Sequence, residues 1–286
     1  MTTVTDTPDD VAAWRSEARA AAVRPRRFGS LYVAEYRIRT MRAYGWTIVI
    51  GSVGQPLLYL LGLGVGLAAF IRAPVAAGPS GAIGYAEFVA PALLASAATG
   101  VAMEEFTYTI MEGFRWRRTF WAINATTVTP RQTCNGVVLA TAARMLITGV
   151  AYYAVAVAFH AIGRPLMGLV MPFVGTLGGL AFGLPVMAYA ATLKTDNGQF
   201  SVLQRFVFTP LFLFSGTFYP LDSVPAWLQW IGWISPVWHA SELGRVLSYG
   251  SAPDGWPWWT HLLVLVAMAA VGGALARRSF LQRMTA

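Results

Sequence analysis

The apolar positions divide the chain into a polar beginning, six long apolar stretches and a tryptophan-rich region before the last of them. Residues 1–27, with Asp6, Pro8, Asp9, Asp10, Pro25 and clustered arginines, are expected to form a disordered cytoplasmic tail. The first 43 residues are polar, without the short apolar run and small-residue cleavage site of a secretory signal peptide, so none is expected there. From Phe28 to Arg42 apolar side chains recur every three or four residues (Phe28, Leu31, Ala34, Ile38, Met41), which predicts a helix. Glu35 and Arg42 interrupt the stripe. Such a helix suits either the cytoplasmic membrane surface or a solvated lead-in to the first span.

The six stretches run over about 44–71, 88–111, 133–160, 166–192, 200–218 and 259–276, each close to the roughly 20 residues a helix needs to cross a bilayer. Pro56, Pro91, Pro172, Pro185 and Pro210 fall inside them and predict kinks. Residues 72–87 read as an outer loop and Arg164–Pro165 as a tight outer turn. Residues 219–258 carry Trp227, Trp230, Trp233, Trp238, Trp256 and Trp258, broken by prolines. Tryptophan favours the membrane–water boundary, so this region is expected to re-enter the outer leaflet as short helices. The fold class that follows is an all-α polytopic membrane protein, with residues 28–286 as one transmembrane domain and no soluble domain.

Composition agrees: 56% of residues are hydrophobic and only 12% charged, about half the charged share of a soluble domain. The net charge of +8 would suggest nucleic acid in a soluble chain, but here basic residues punctuate apolar runs, and no nucleic-acid partner is expected. Their distribution also predicts orientation. Arg15, Arg19, Arg24, Arg26, Arg27, Arg37, Arg39 and Arg42 precede the first span. Arg115, Arg117, Arg118 and Arg131 follow the second, Lys194 and Arg205 the fourth, and Arg277, Arg278 and Arg283 the sixth. Arg72, Arg164 and Arg245 alone fall in the other connections. The positive-inside rule then places both termini in the cytoplasm.

The chain has no glycine-rich phosphate loop ending in Lys-Ser or Lys-Thr, no His-Glu-x-x-His and no Gly-x-Ser-x-Gly. No catalytic residue, cofactor or metal is therefore expected in it, and ATP-driven work would need a nucleotide-binding partner. His160, His239 and His261 lie far apart and read as interfacial residues rather than ligands. Cys134, the single cysteine, reads as a small core residue.

Glu104 and Glu105 in the second stretch and Arg144 in the third lie roughly 10 and 16 Å from the same membrane face, near enough to meet. They read as part of a substrate pathway or switch, as an ion pair that fixes helix packing, or as a proton relay. Residues 113–124, GFRWRRTFWAIN, taken as a helix, put Trp116, Phe120 and Ile123 on one face and Arg115 and Arg118 away from it. That pattern suits a docked partner or an anchor on anionic lipid. Gly62, Gly64 and Gly66, and Gly175, Gly179 and Gly183, permit close helix approach within one chain or across a dimer.

Residues 209–245, TPLFLFSGTFYPLDSVPAWLQWIGWISPVWHASELGR, resemble the signature region of type-2 ABC exporter permeases. The likeness is to the branch of nodulation-factor lipo-oligosaccharide and daunorubicin-resistance exporters. Residues 103–132 are similar to the second span and first cytoplasmic loop of that branch. The resemblance implies an N-terminal surface helix, six spans and a re-entrant hairpin between the fifth and sixth. It further implies two permease copies, identical or paired with a sister chain, on two separate ATPase subunits that carry the ATP and Mg. Arg115, Trp116, Arg117, Arg118 and Phe120 would then form the coupling element, with Lys194 in a second contact. Phe218, Tyr219, Pro220, Trp227, Ser235 and Pro236 would form the outer gate, and Glu104, Glu105 and Arg144 the pathway. The implied activity is outward movement of an amphiphile (glycolipid, lipo-oligosaccharide or hydrophobic drug) across a bacterial cytoplasmic membrane. A proton- or ion-coupled secondary transporter is the alternative.

Overall fold

The computed structural model describes residues 8–67, 75–78, 81–250 and 255–285. The first seven residues of the expected tail, residues 68–71 of the first apolar stretch, Arg72 and Pro253 lie outside the described residues. Among these residues thirteen α-helices follow in order: α1 (Pro8–Arg42), α2 (Gly45–Tyr59), α3 (Tyr85–Glu105), α4 (Tyr108–Met111), α5 (Thr119–Asn124), α6 (Pro130–Ala158), α7 (Pro165–Gly168), α8 (Met171–Thr192), α9 (Gln199–Leu203), α10 (Thr209–Phe214), α11 (Ala226–Trp233), α12 (Pro236–Tyr249) and α13 (Trp258–Thr285). Among the described residues four helical stretches are long and apolar enough to cross a membrane: Tyr85–Trp116, Pro130–Ala158, Pro165–Thr192 and Trp258–Thr285. Gln199–Phe214 is apolar but shorter, and α2 runs on through a π-helical segment, Leu60–Leu67. The expected outer loop contains one departure from all-α structure, an antiparallel pair of strands β1 (Ala76–Gly78) and β2 (Gly81–Ile83) with Ala77 opposite Ala82.

Helix α8 is the hub, packed on α3, α6, α12 and α13. Small residues set its distances. A Cβ on Gly175 would lie 2.6 Å from Leu94, and one on Gly179 3.0 Å from the Ala98 carbonyl, so α3 and α8 meet almost backbone to backbone. Three of the prolines expected to kink the spans seat against glycines of neighbouring helices: Pro185 of α8 on Gly272 of α13, Pro91 of α3 on Gly244 of α12, and Pro172 of α8 on Gly149 of α6. At Pro210 the lost backbone donor is absorbed by a π-helical segment, Gln204–Phe208, and Thr209 Oγ1 donates to the Gln204 carbonyl at 2.9 Å.

The expected tail is helical from Pro8 onward. Pro8 stands at the helix start, where its missing donor costs nothing, and the alanines between Ala12 and Ala22 have the highest helix propensity. The helix kinks at Phe28 (φ −110°, ψ 18°) and then packs on α6 through a face that keeps only Ala34 and Met41 of the expected apolar stripe and adds Val33. Val33, Ala34 and Met41 are buried, whereas Phe28, Leu31 and Ile38 are exposed. The contact is decided by α6, whose Gly136 admits Val33, and whose Gln132 donates from Nε2 to the Arg26 carbonyl at 2.6 Å. Thr129 and Gln132 close a capping box at the α6 start, with Pro130 at its first turn.

Two large clusters form the core. One, near the end carrying residues 112–124, 193–198 and the C-terminus, centres on Phe106, Phe114, Phe120 and Phe280. The other, toward α11 and the 159–165 turn, centres on Phe88, Tyr152 and Tyr249. The two ends are called the basic end and the tryptophan end below.

Candidate functional site

At the basic end the 113–124 segment is two pieces joined by a sharp turn. A π-helical segment, Glu112–Trp116, stops at Arg117. Arg118 adopts a left-handed conformation (φ 55°, ψ 24°), and α5 begins at Thr119. Trp116 and Phe120 therefore do not share a face, contrary to the continuous-helix reading. Trp116 is exposed and stacks on Tyr108, centroids 6.5 Å apart. Phe120 is buried against Gly113, Phe114 and Phe280, and holds the turn from within. Arg117 folds back on Glu112 at 2.8 Å.

The turn forms one wall of a groove of about 780 Å³. Arg115 and Arg118 line it, facing Lys194 from the loop after α8 and Arg283 from α13. Arg283 itself is positioned by the Ala191 carbonyl at 2.8 Å and by the Phe114 ring, 4.2 Å below its guanidinium. Four cations and no carboxylate line this groove, which makes its wall strongly positive. Arg115, Arg118 and Lys194 were expected to act together; Arg283 was counted only as a tail charge.

Deeper in the bundle, Arg144 of α6 meets both expected carboxylates of α3. It reaches Glu104 at 2.8 Å and makes a short ion pair with Glu105. A fourth member was missed: Arg37 of α1 reaches Glu105 at 2.9 Å. Nothing in a 3–4 spacing marks an arginine as inward-facing when its helix is expected to lie on a surface. The cluster is neutral overall, and only Glu104 keeps a largely exposed side chain, at 63%.

Glu104 and Arg144 form the floor of a cavity of about 320 Å³ between α2, α3, α6 and the 204–212 segment. Its wall is graded. Thr47, Glu104, Arg144 and Gln204 lie toward the basic end, and Tyr59, Leu93, Tyr152 and Phe212 toward the tryptophan end.

Of the proposed gate residues, Ser235 is tied to a residue outside that set: the Ser215 hydroxyl donates to the Ser235 hydroxyl at 2.6 Å in a buried contact. Ser235 also caps α12, accepting from Val237 N, with Pro236 in the first turn. Phe218 meets Phe212 edge-on at 5.1 Å, and Tyr219 donates to the Leu213 carbonyl at 3.0 Å. Pro220 leads into a 3-10 turn, Leu221–Ser223. Trp227 stands apart, exposed on α11.

Two groups at this end correct the sequence reading. Arg245, counted as an outer-loop charge, is wholly buried. It pairs with Glu242, donates to the Gly216 carbonyl at 2.6 Å, and lies 3.8 Å over the Phe88 ring. His239 and His261, expected at the interface, are buried and adjacent, Nδ1 to Nδ1 at 2.9 Å, with Trp238 against both rings. The Glu242–Arg245 spacing of three residues was the one signal that could have revealed the first group. The histidine pair joins α12 to α13 across 22 residues and left no local signal. Among the described residues no His, Cys, Asp or Glu group is arranged to hold a metal ion.

Residues 32–249 match the family described as ABC-2 type transporter. The chain is similar to nodulation protein J of Rhizobium meliloti (strain 1021), at 29% identity over 205 residues covering 71% of this chain and 74% of that protein. It is also similar to nodulation protein J of Rhizobium leguminosarum bv. trifolii, at 27% over 202 residues (71% and 74%), and of Neorhizobium galegae, at 27% over 207 residues (72% and 76%).

Proposed function

Since the chain belongs to the ABC-2 type transporter family, whose permeases are non-catalytic transmembrane subunits working with ATPase subunits, we propose that it is the permease of an exporter that moves an amphiphile out across a bacterial cytoplasmic membrane. The observation that carries this reading is the basic groove, where Arg115, Arg118, Lys194 and Arg283 converge from three separate segments. A cationic groove at one end of an apolar bundle suits an acidic ATPase surface pressing on the 115–118 turn. ATP and Mg would reside on that partner.

The finer architecture belongs to the same proposal. The stretch from Gly45 through Leu67 and the stretch Gln199–Phe214 complete six spans, with α1 along the cytoplasmic surface, both termini inside, and α11 and α12 as the re-entrant hairpin. Two permease copies and two ATPases make the working unit. Support for a second copy comes from faces that lack a partner among the described residues: none of them lies within 4 Å of a Cβ built on Gly62, and Phe206 is 73% exposed. The amphiphile belongs to the classes the family resemblance implies: glycolipid, lipo-oligosaccharide or hydrophobic drug.

Reversing three charges together (Arg115→Glu, Arg118→Glu, Lys194→Glu) tests the groove. ATPase co-purification from the native cell is expected to fall at least about tenfold while the chain stays folded in detergent, since opposite charges at an interface become like charges. Unchanged co-purification would remove the groove as the ATPase seat.

A further inference from the structure

The graded cavity carries one step more, resting on the reading of this chain as an exporter permease. We infer that the cavity is an entry site for amphiphiles whose head group is a protonated amine, with the head at Glu104 and the apolar body along Phe208, Phe212, Tyr59 and Tyr152.

The order of side chains along the helices sets the pose. On α6, Arg144, Thr148 and Tyr152 succeed one another on one face at one-turn spacing. On α3 the wall runs from Glu104 through Gly100 to Leu93, a rise of roughly 16 Å. The neighbouring segment presents Gln204, Phe208 and Phe212 at the same spacing. Polar groups thus gather at the basic end and rings toward mid-bundle, the order in which an inner-leaflet lipid carries its head and chains. A Cβ at Gly100 would stand 3.8 Å from the Phe208 ring, in ordinary contact, so a side chain much larger than alanine there would fill the space.

The available polar atoms select the head group. Both terminal nitrogens of Arg144 are committed, one to Glu104 and one to Glu105, and its Nε is buried. An anionic head therefore finds no accessible cation. The Thr47 and Ser96 hydroxyls spend their protons on the Tyr44 and Ala92 carbonyls, which leaves both as acceptors. The exposed Glu104 carboxylate is an acceptor too, with Oε2 on Arg144 and Oε1 without a partner among the described residues. A donor-rich cation satisfies this set. Further along, the buried Tyr152 hydroxyl has no hydrogen-bond partner among the described residues. A buried phenol left so is costly, and an acceptor in the body of a bound molecule would relieve it.

The test is saturable binding to the full-length chain in phosphatidylcholine nanodiscs, measured above empty nanodiscs without ATP or ATPase. The probes are radiolabelled dodecylamine, dodecanol and dodecanoic acid. Dodecylamine is expected to bind at least about tenfold more tightly than the acid, the worth of one charge-assisted hydrogen bond. Glu104→Gln should remove that preference. Gly100→Trp should abolish binding of all three. If Gly100→Trp lowers the unfolding midpoint, Ala97→Phe enters the same space from a turn away. The inference is overturned by equal binding of acid and amine, by a preference that survives Glu104→Gln, by amine binding to the filled cavity, or by no saturable binding. Because no ATPase takes part, this result and the co-purification test of the exporter reading fail independently.

Discussion

At the residue scale, Arg245 is a charge held wholly inside the bundle. It is enclosed, and Glu242, the Gly216 carbonyl and the Phe88 ring share its guanidinium. Removing one member of a buried pair strands the other, so Arg245→Met is expected to cost about 3–5 kcal/mol in thermal unfolding of the detergent-solubilised chain. Replacing both, as Glu242→Leu with Arg245→Met, should recover most of that loss, because the stranded charge is gone. Gly216 is held to the same centre by a left-handed backbone (φ 65°), with Trp238 3.3 Å from where a Cβ would lie. Gly216→Ala should cost about 1–2 kcal/mol by the same measurement. The meeting of Glu104, Glu105 and Arg144 was legible in the sequence, because charges inside apolar stretches are rare and their depths can be counted. The Arg37 contact and the His239–His261 pair were not legible, because each depends on how a second helix is rotated about its axis.

At the element scale, the informative contrast is α1. Its helicity is written locally, in alanines and a well-placed proline, yet composition weighted toward charge and proline pointed to disorder. Its docked face was set by its neighbour: Gly29, Val33, Ala34 and Met41 are the positions that α6 can accept, and the more apolar Phe28, Leu31 and Ile38 are left outside. Gly136→Leu should therefore undock α1, since Val33 and the Ser30 carbonyl occupy the space a side chain would need. Faster tryptic cleavage at Arg37 and Arg39 in detergent would report it, and an unchanged cleavage rate would show that the contact does not hold the helix. The 113–124 segment teaches a similar lesson. Its spacing fits one helix, but Phe120 gains more by filling the pocket over Gly113 than by sharing a face with Trp116, and Arg118 takes the left-handed turn that this requires.

At the scale of the whole molecule, the proposed orientation predicts a labelling pattern. In a Cys134→Ser background, which removes a buried thiol from the core, a cysteine at Arg164 or Trp227 should react with a membrane-impermeant maleimide on intact cells. One at Arg117 or Arg278 should react only after the membrane is opened. The reverse pattern would invert the assignment of the basic end to the cytoplasm. By itself the sequence determined the membrane class, the approximate positions of the long apolar helices and the family. These follow from hydropathy, length and short motifs, which are properties of contiguous residues. Only the tertiary structure decided that Arg37 joins the Glu105 cluster, that Arg283 completes the basic groove, that Arg245 is interior rather than a loop charge, and that two distant histidines touch. Each of these depends on where one helix's small residues let another approach and turn toward it. That is set by packing between segments far apart in the chain, and no local pattern records it.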